Sequence, residues 1–207
     1  MIIDREFRSE GVAVADFNRD GLKDIFTGDH WHAAPGWQAR EVRAPEKYDP
    51  ANGYSRCFAA FAEDVDRDGW TDAIVVGFPG APAYWYRNPG GGDGRWEEHL
   101  LATEACGETP IYGDLTGDGV PDLLVSPSAY STRIVSGATL RQGTFQVEEL
   151  AVGYLFGIPG MALLGHTIGD WNDDGLVDFA CGDQGYNAPL DDAQSAGCVF
   201  MLPGRRE

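Results

Sequence analysis

The sequence predicts an all-β fold built from four copies of one small unit, and three observations carry that expectation. A nine-residue pattern, Asp-x-Asp/Asn/Thr-x-Asp-Gly-x-x-Asp, occurs as DFNRDGLKD at 16–24, DVDRDGWTD at 64–72, DLTGDGVPD at 114–122 and DWNDDGLVD at 170–178. Short apolar runs flank each copy, and those that follow it end in Gly or Pro. No long window places apolar residues at helical spacing, while 28 Gly and 12 Pro punctuate the chain. The copies start 48, 50 and 56 residues apart. One motif per period of about fifty residues marks a repeat architecture.

Each element follows from these patterns. VAVAD, FAAFAED, PIYGD and HTIGD lead into the loops, and IFTG, AIVVG, LLVSP and FACG leave them. Short apolar runs bounded by turn residues read as buried strands, so each loop joins two strands of a hairpin. In the second repeat AYWYRNP reads as a third strand, GGGDG as a turn and RWEEHLL as a fourth strand. HWHAAP and WQAREV take those places in the first repeat, and TRIVSG and FQVEEL in the third. The fourth has GCVFMLPG as its third strand and no fourth strand of its own. IIDREF shares the pattern of WQAREV, so residues 1–7 are expected to close the last sheet. Closure removes exposed sheet edges. The expected architecture is a single β-propeller domain over 1–207, four blades of four antiparallel strands, with repeats at 10–50, 57–101, 109–150 and 164–207. An arc or half-ring completed by a second chain is the alternative.

The loops have the chemistry of a cation site. Calcium takes roughly 6–8 oxygens at about 2.3–2.6 Å, and alternate positions of a tight loop can supply them. The first copy offers Asp16, Asn18, Asp20, Asp24 and the Leu22 carbonyl, and the second Asp64, Asp66, Asp68, Asp72 and the Trp70 carbonyl. The third offers Asp114, Thr116, Asp118, Asp122 and the Val120 carbonyl, and the fourth Asp170, Asn172, Asp174, Asp178 and the Leu176 carbonyl. Gly at position six allows the positive φ that turns the loop back on the ion. An EF-hand begins alike but needs a Glu at position twelve. That position holds Thr27, Val75, Val125 and Cys181, so the EF-hand and dockerin readings fail. Turn formation alone would explain one such loop, but not four with carboxylates at positions one, five and nine.

Composition narrows the function. The net charge is −18, and the ligand positions hold 13 of the 33 acidic residues. Four calcium ions would bring the formal charge to −10. A chain this acidic, with no basic stripe, is a poor nucleic-acid binder. Anionic membranes would repel it, and no stretch of 18 apolar residues could span one. Cys57, Cys106, Cys181 and Cys198 form no zinc pattern; Cys181 and Cys198 are either a disulfide or buried thiols. The start, MIIDREFRSEG, lacks a signal-peptide apolar region. Calcium loops suit millimolar calcium, so an extracellular or periplasmic setting is expected.

The four motifs with their flanking strands resemble the FG-GAP/VCBS repeat family. These are calcium-loop propellers also seen in integrin α-subunits, some fungal lectins and polysaccharide lyases. The resemblance spans all four repeats. The stretch from Glu10 to Pro89, with GYSRCFAAFAEDVDRDGWTDAIVVGFPG and YWYRNPGG, is similar to large bacterial secreted proteins of this class. Those are longer, with about seven blades. The resemblance implies structural calcium on the ligands named above and specifies no catalytic residue.

A ligand is expected on the face opposite the metal loops. There lie GDHWHAAPGW (28–37), KYDPANGYSR (47–56), GFPGAP (77–82), SPSAYS (126–131), GYLFGIPG (153–160) and GDQGYNAPLDDAQSAG (182–197). Variable loops on a rigid scaffold usually carry function. Trp31, Tyr54, Tyr130 and Tyr186 are the candidate stacking residues and Arg56 a candidate hydrogen-bonding partner, for a glycan or a protein partner. Trp85, Tyr86, Trp96 and Phe58 sit inside strands and are read as packing. Two ligand-directed functions compete, beside a purely structural fragment or half-ring of a larger propeller with no ligand of its own. One is a calcium-stabilised binding module, a monomer or a ring-completing homodimer. The other is a carbohydrate-active lyase or hydrolase using acids among Glu104, Glu108, Asp191, Asp192 and His166, none of which the sequence pairs.

Overall fold

The structure is a computed structural model that describes residues 1–105, 108–116, 118–128, 131–135, 151–156, 163–175, 178–183 and 198–202. These residues form antiparallel strands and turns, with no helix among them. Two compact units emerge, the first from Met1 to Glu104 and the second beginning at Ala105.

In the first unit, β1 (Ala13–Ala15), β2 (Asp24–Phe26), β3 (His30–Ala33) and β4 (Gln38–Glu41) form one sheet in sequence order. A second sheet, also in sequence order, holds β5 (Ala59–Glu63), β6 (Asp72–Val76), β7 (Ala81–Arg87) and β8 (Glu97–Ala105). Ala15 pairs with Asp24 and Glu63 with Asp72, so each acidic loop closes a hairpin as expected. The core lies between the sheets. Phe17 stands 5.7 Å from Trp96, 6.1 Å from Trp31 and 6.2 Å from Phe26, centroid to centroid. Ala13 and Ala15 from one sheet and Ala73, Val75 and Tyr86 from the other complete it. At Gly11 the sheets approach so closely that a Cβ would lie 2.7 Å from the Ala59 backbone. The Gly11 N–H donates to the Cys57 carbonyl across that gap at 2.9 Å.

In the second unit, β9 (Ile111–Gly113), β10 (Asp122–Ser128), β11 (Ser131–Val135) and β12 (Ala151–Phe156) form a third sheet in sequence order. The fourth sheet holds β13 (Leu163–Gly169), β14 (Asp178–Asp183) and β15 (Cys198–Leu202), three strands among the described residues. Gly113 and Gly169 pair with Asp122 and Asp178, so the third and fourth loops also close hairpins.

Three expectations need correction. Residues 1–7 form no strand. Asp4 Oδ1 accepts the N–H groups of Arg5 and Glu6, and the Arg8 guanidinium pairs with Asp4 Oδ2 at 2.8 Å. That turn consumes donors that an edge strand would need. The segment instead lies over the first sheet, bounding a cleft with Ile25, Thr27 and His32. The fourth strand of the third sheet is AVGYLF at 151–156 rather than FQVEEL, whose 145–150 lie outside the described residues. AVGYLF offers an uninterrupted apolar partner to STRIV, where FQVEEL carries two adjacent carboxylates. Tyr154, expected in a loop, is therefore in a strand. The register of β14 and β15 sets Cys198 opposite Asp183 and Cys181 opposite Phe200. Cys57 is a buried free thiol whose pKa burial pushes up to about 12.

Candidate metal centre

The four loops share one hydrogen-bond plan. The position-one Asp accepts the N–H of the position-six Gly: Asp16 from Gly21 at 2.8 Å, Asp64 from Gly69 at 2.9 Å, Asp114 from Gly119 at 2.9 Å and Asp170 from Gly175 at 2.8 Å. Those glycines have φ between 80° and 89°. Position four is left-handed as well, at Arg19 (60°), Arg67 (60°) and Asp173 (56°). In the first, second and fourth loops, two left-handed residues curl the chain so that its oxygens converge.

Position nine does more than offer a ligand. Asp24, Asp72, Asp122 and Asp178 are all buried. Each accepts the N–H of the residue at position two, Phe17, Val65, Leu115 and Trp171, at 2.9 to 3.0 Å. In the first unit the second carboxylate oxygen reaches onward, Asp24 Oδ1 to the Ala34 N–H and Asp72 Oδ1 to the Asn88 N–H, both at 2.8 Å. In the first unit the residue that ends the loop thus pins it to the segment just after the sheet's third strand.

The second loop best fits a bound dication. Asp64, Asp66 and Asp72 place ligand oxygens within 4.8 Å of one another. Oxygens about 2.4 Å from one ion can be at most about twice that apart. Asp64 Oδ1 is buried and lacks a hydrogen-bond partner, a costly arrangement unless a cation takes it up. Burial also pushes the Asp72 carboxyl up to about 7 despite N–H donors from Asn88 and Val65, a cost that a neighbouring dication would remove. Among the described residues no other loop gathers three carboxylates this closely. Position three explains the difference, since Asn18, Thr116 and Asn172 stand where the second loop has Asp66. Arg87 supports this loop from outside, 2.5 Å from Asp66 and 3.1 Å from Asp68.

Neighbouring loops touch. Arg19 of the first loop lies over the Trp70 ring of the second, 5.0 Å from its centroid. Asn88, buried, donates from Nδ2 to the Phe17 carbonyl at 2.9 Å and to the Thr71 carbonyl at 2.8 Å. Neither contact carries a sequence signal beyond the YRNPGG turn that holds Asn88.

The expected ligand residues fare unevenly. Trp31 is 1% exposed in β3, packed on Phe17, with Arg40 over its ring. It is core, because its face of β3 meets the second sheet. Tyr54 is 57% exposed and stacks on Phe78 at 4.0 Å, with Phe58 edge-on to both. Loops 47–56 and 77–82 therefore meet in one aromatic patch. Arg56 is not a free donor. It spans Tyr48, the Ala44 carbonyl, Glu46 and buried Asp29. Tyr130 and Tyr186 lie outside the described residues. Of the candidate acids, Glu104 and Glu108 are exposed, and the side chains of His166, Asp191 and Asp192 lie outside the described set.

His30 and His32 are buried on the first sheet. Burial, with the Arg8 charge, holds both below the ordinary imidazole range, although Asp29 beside His30 and Asp4 beside His32 pull the other way. An unfolded chain then protonates first as the pH falls below about 6.5. With calcium saturating, the urea midpoint is expected to fall from pH 7 to pH 5. His30→Asn with His32→Asn should flatten that limb, and an unchanged slope would remove this account.

The match to known proteins falls on this loop. Residues 64–125 match the family model of the FG-GAP-like repeat. The match begins at Asp64, the first residue of the second loop, and ends inside β10, so it spans the second and third loops. No curated protein matches the chain. Among solved structures, the crystal structure of BBS1N in complex with ARL6DN, soaked with lead, aligns with 86% of this chain and 51% of that chain, at 14% identity and a TM-score of 0.46. The chain thus spans about half the length of that protein. No helix among the described residues is long and apolar enough to cross a membrane.

Proposed function

We propose that this chain is a calcium-stabilised β-propeller module that binds a glycan or protein partner outside the cell. The observation that carries the metal is Asp64 Oδ1, buried and unpartnered inside a carboxylate cluster of one-ion dimensions. The repetition of one hydrogen-bond plan extends the reading to about four ions, one per loop. Each up-and-down sheet is read as a blade, with its acidic loop joining the blade's first two strands. Metal bound only by the folded state stabilises it. An ion at 100 times its Kd adds about 2.7 kcal/mol.

The Tyr54–Phe78–Phe58 patch supports the recognition role, since it exposes aromatic surface on loops rather than in the core. Thermal unfolding with EDTA, then with calcium restored, tests the metal. The melting temperature should fall in EDTA and recover with calcium, and indifference to both would reduce the loops to turns. A glycan array of calcium-loaded protein, with Tyr54→Ala as the control, tests recognition. Retained signal in Tyr54→Ala would move the site elsewhere.

A further inference from the structure

The second acidic loop comes with a positive charge of its own. Its ligand positions hold four carboxylates, Asp64, Asp66, Asp68 and Asp72, where each other copy holds three. The added one is Asp66 at position three. Arg87 meets it: Nε lies 2.5 Å from Asp66 Oδ2, and Nη2 lies 3.1 Å from Asp68 Oδ2. The other oxygens of these two groups serve the backbone. Asp66 Oδ1 accepts the Asp68 N–H at 3.1 Å, and Asp68 Oδ1 accepts the Trp70 N–H at 2.9 Å. All four side-chain oxygens at positions three and five are therefore engaged within the chain. Asp64 Oδ1, buried and without a partner, is the oxygen left for an arriving ion.

The arginine goes with the added carboxylate. Arg87 follows Tyr86, the strand partner of Ala73. In the first sheet Ala33 has that place, after His32, the partner of Ile25. In the third and fourth copies Ser136 and Pro203 come next in sequence after Val135 and Leu202, the partners of Leu123 and Phe179. Arg19 also reaches the second loop, but it lies over the Trp70 ring. Four carboxylates in one tight loop repel each other unless a cation stands among them. The guanidinium matches two carboxylates with fixed donors, which a lysine would not do.

Resting on the calcium reading above, we propose that Arg87 is the resident counter-ion of the second loop: it holds Asp66 and Asp68 in the metal-free protein, and calcium must take those carboxylates from it. The loop is then ordered without metal and less avid for it. By linkage, calcium loosens the Arg87 contact by the same factor as Arg87 weakens calcium.

Calcium calorimetry and melting curves in EDTA, on the full chain and on Arg87→Gln, test this. The Arg87 side chain is 43% exposed, so the substitution removes charge without opening the core. One calcium-binding step should tighten about tenfold, within the usual range of coupled sites. The melting temperature in EDTA should fall by about 3 °C, since the repulsion is then unrelieved. Arg87→Lys, which keeps the charge and loses the fork, should lie between the two proteins in both measurements. The Arg87 Nε–H resonance, assigned by its loss in Arg87→Lys, should move to the position of a free guanidinium as calcium is added. Unchanged or weaker calcium binding by Arg87→Gln would overturn the proposal and make Arg87 an outer prop of the bound state. A resonance that stays in place at saturating calcium would overturn it too. Absence of calcium binding by the unaltered chain would instead sink the calcium reading itself, so the two failures are told apart.

Discussion

Asp72→Ala is expected to lower the melting temperature by on the order of 10 °C, and to do so even in EDTA. The side chain is fully buried and accepts N–H groups from Val65 and Asn88. Removing it strands two buried donors at roughly 1–3 kcal/mol each. For a chain of this size each kcal/mol moves the midpoint by about 2–4 °C. Asp20→Ala provides the contrast. Asp20 is exposed, and its carboxylate accepts the Leu22 N–H on Oδ1 and the Asn18 amide on Oδ2, both in solvent-exposed contacts. Its loss should matter with calcium present and vanish in EDTA. Differential scanning of both variants in both conditions separates ligand from brace. Equal behaviour of the two would show that position nine serves the metal alone.

Asp29→Ala is expected to be nearly as damaging without involving any metal loop. Asp29 is buried and accepts from Arg43 at 2.6 Å, the Glu46 N–H at 2.9 Å and the Tyr48 hydroxyl at 3.0 Å. Burial opposes its charge, but the Glu46 N–H and the Arg43 and Arg56 guanidiniums outweigh that and hold the carboxyl below its ordinary range. Arg43 is itself buried and passes the network to Tyr86 at 2.7 Å and on to Glu98 at 2.7 Å. Breaking a buried pair from one side costs about 3–5 kcal/mol, because a charge is left without its partner. Asp29→Ala should also expose the 44–56 segment to trypsin at Lys47 and Arg56. Adding Arg43→Met should recover much of the midpoint, since no buried charge then remains. A double variant as unstable as the single would show that the loop anchoring, rather than the ion pair, is what counts.

These residues mark what the sequence could and could not disclose. The hairpins were legible because the acidic loops sit between short apolar runs, and the run in β6 is buried throughout. The gathering of Asp64, Asp66 and Asp72 was legible because carboxylates at alternate positions of a tight loop face one another. The left-handed bend at Arg19, Arg67 and Asp173 was not, since these residue types do not announce positive φ. Only Gly117, at the same place in the third copy, hints at it. Trp31 was misread because His30 and His32 on either side suggest an exposed segment, whereas all three are buried. Asp29 showed no role because its partners Arg43 and Arg56 lie 14 and 27 residues away. IIDREF has the pattern of an edge strand, and Asp4 and Arg8 divert it into a turn.

The Asn88 amide has a consequence beyond holding a turn. Its two N–H groups grasp the carbonyls of Phe17 and Thr71, one from each of two successive acidic loops. Whatever stiffens one loop removes freedom from the bracket and thereby from the other. Conformational entropy spent at the first ion is then already spent when the second arrives. On the calcium reading proposed above, the two loops are therefore expected to fill as a cooperative pair rather than as independent sites, joined by the Asn88 side chain.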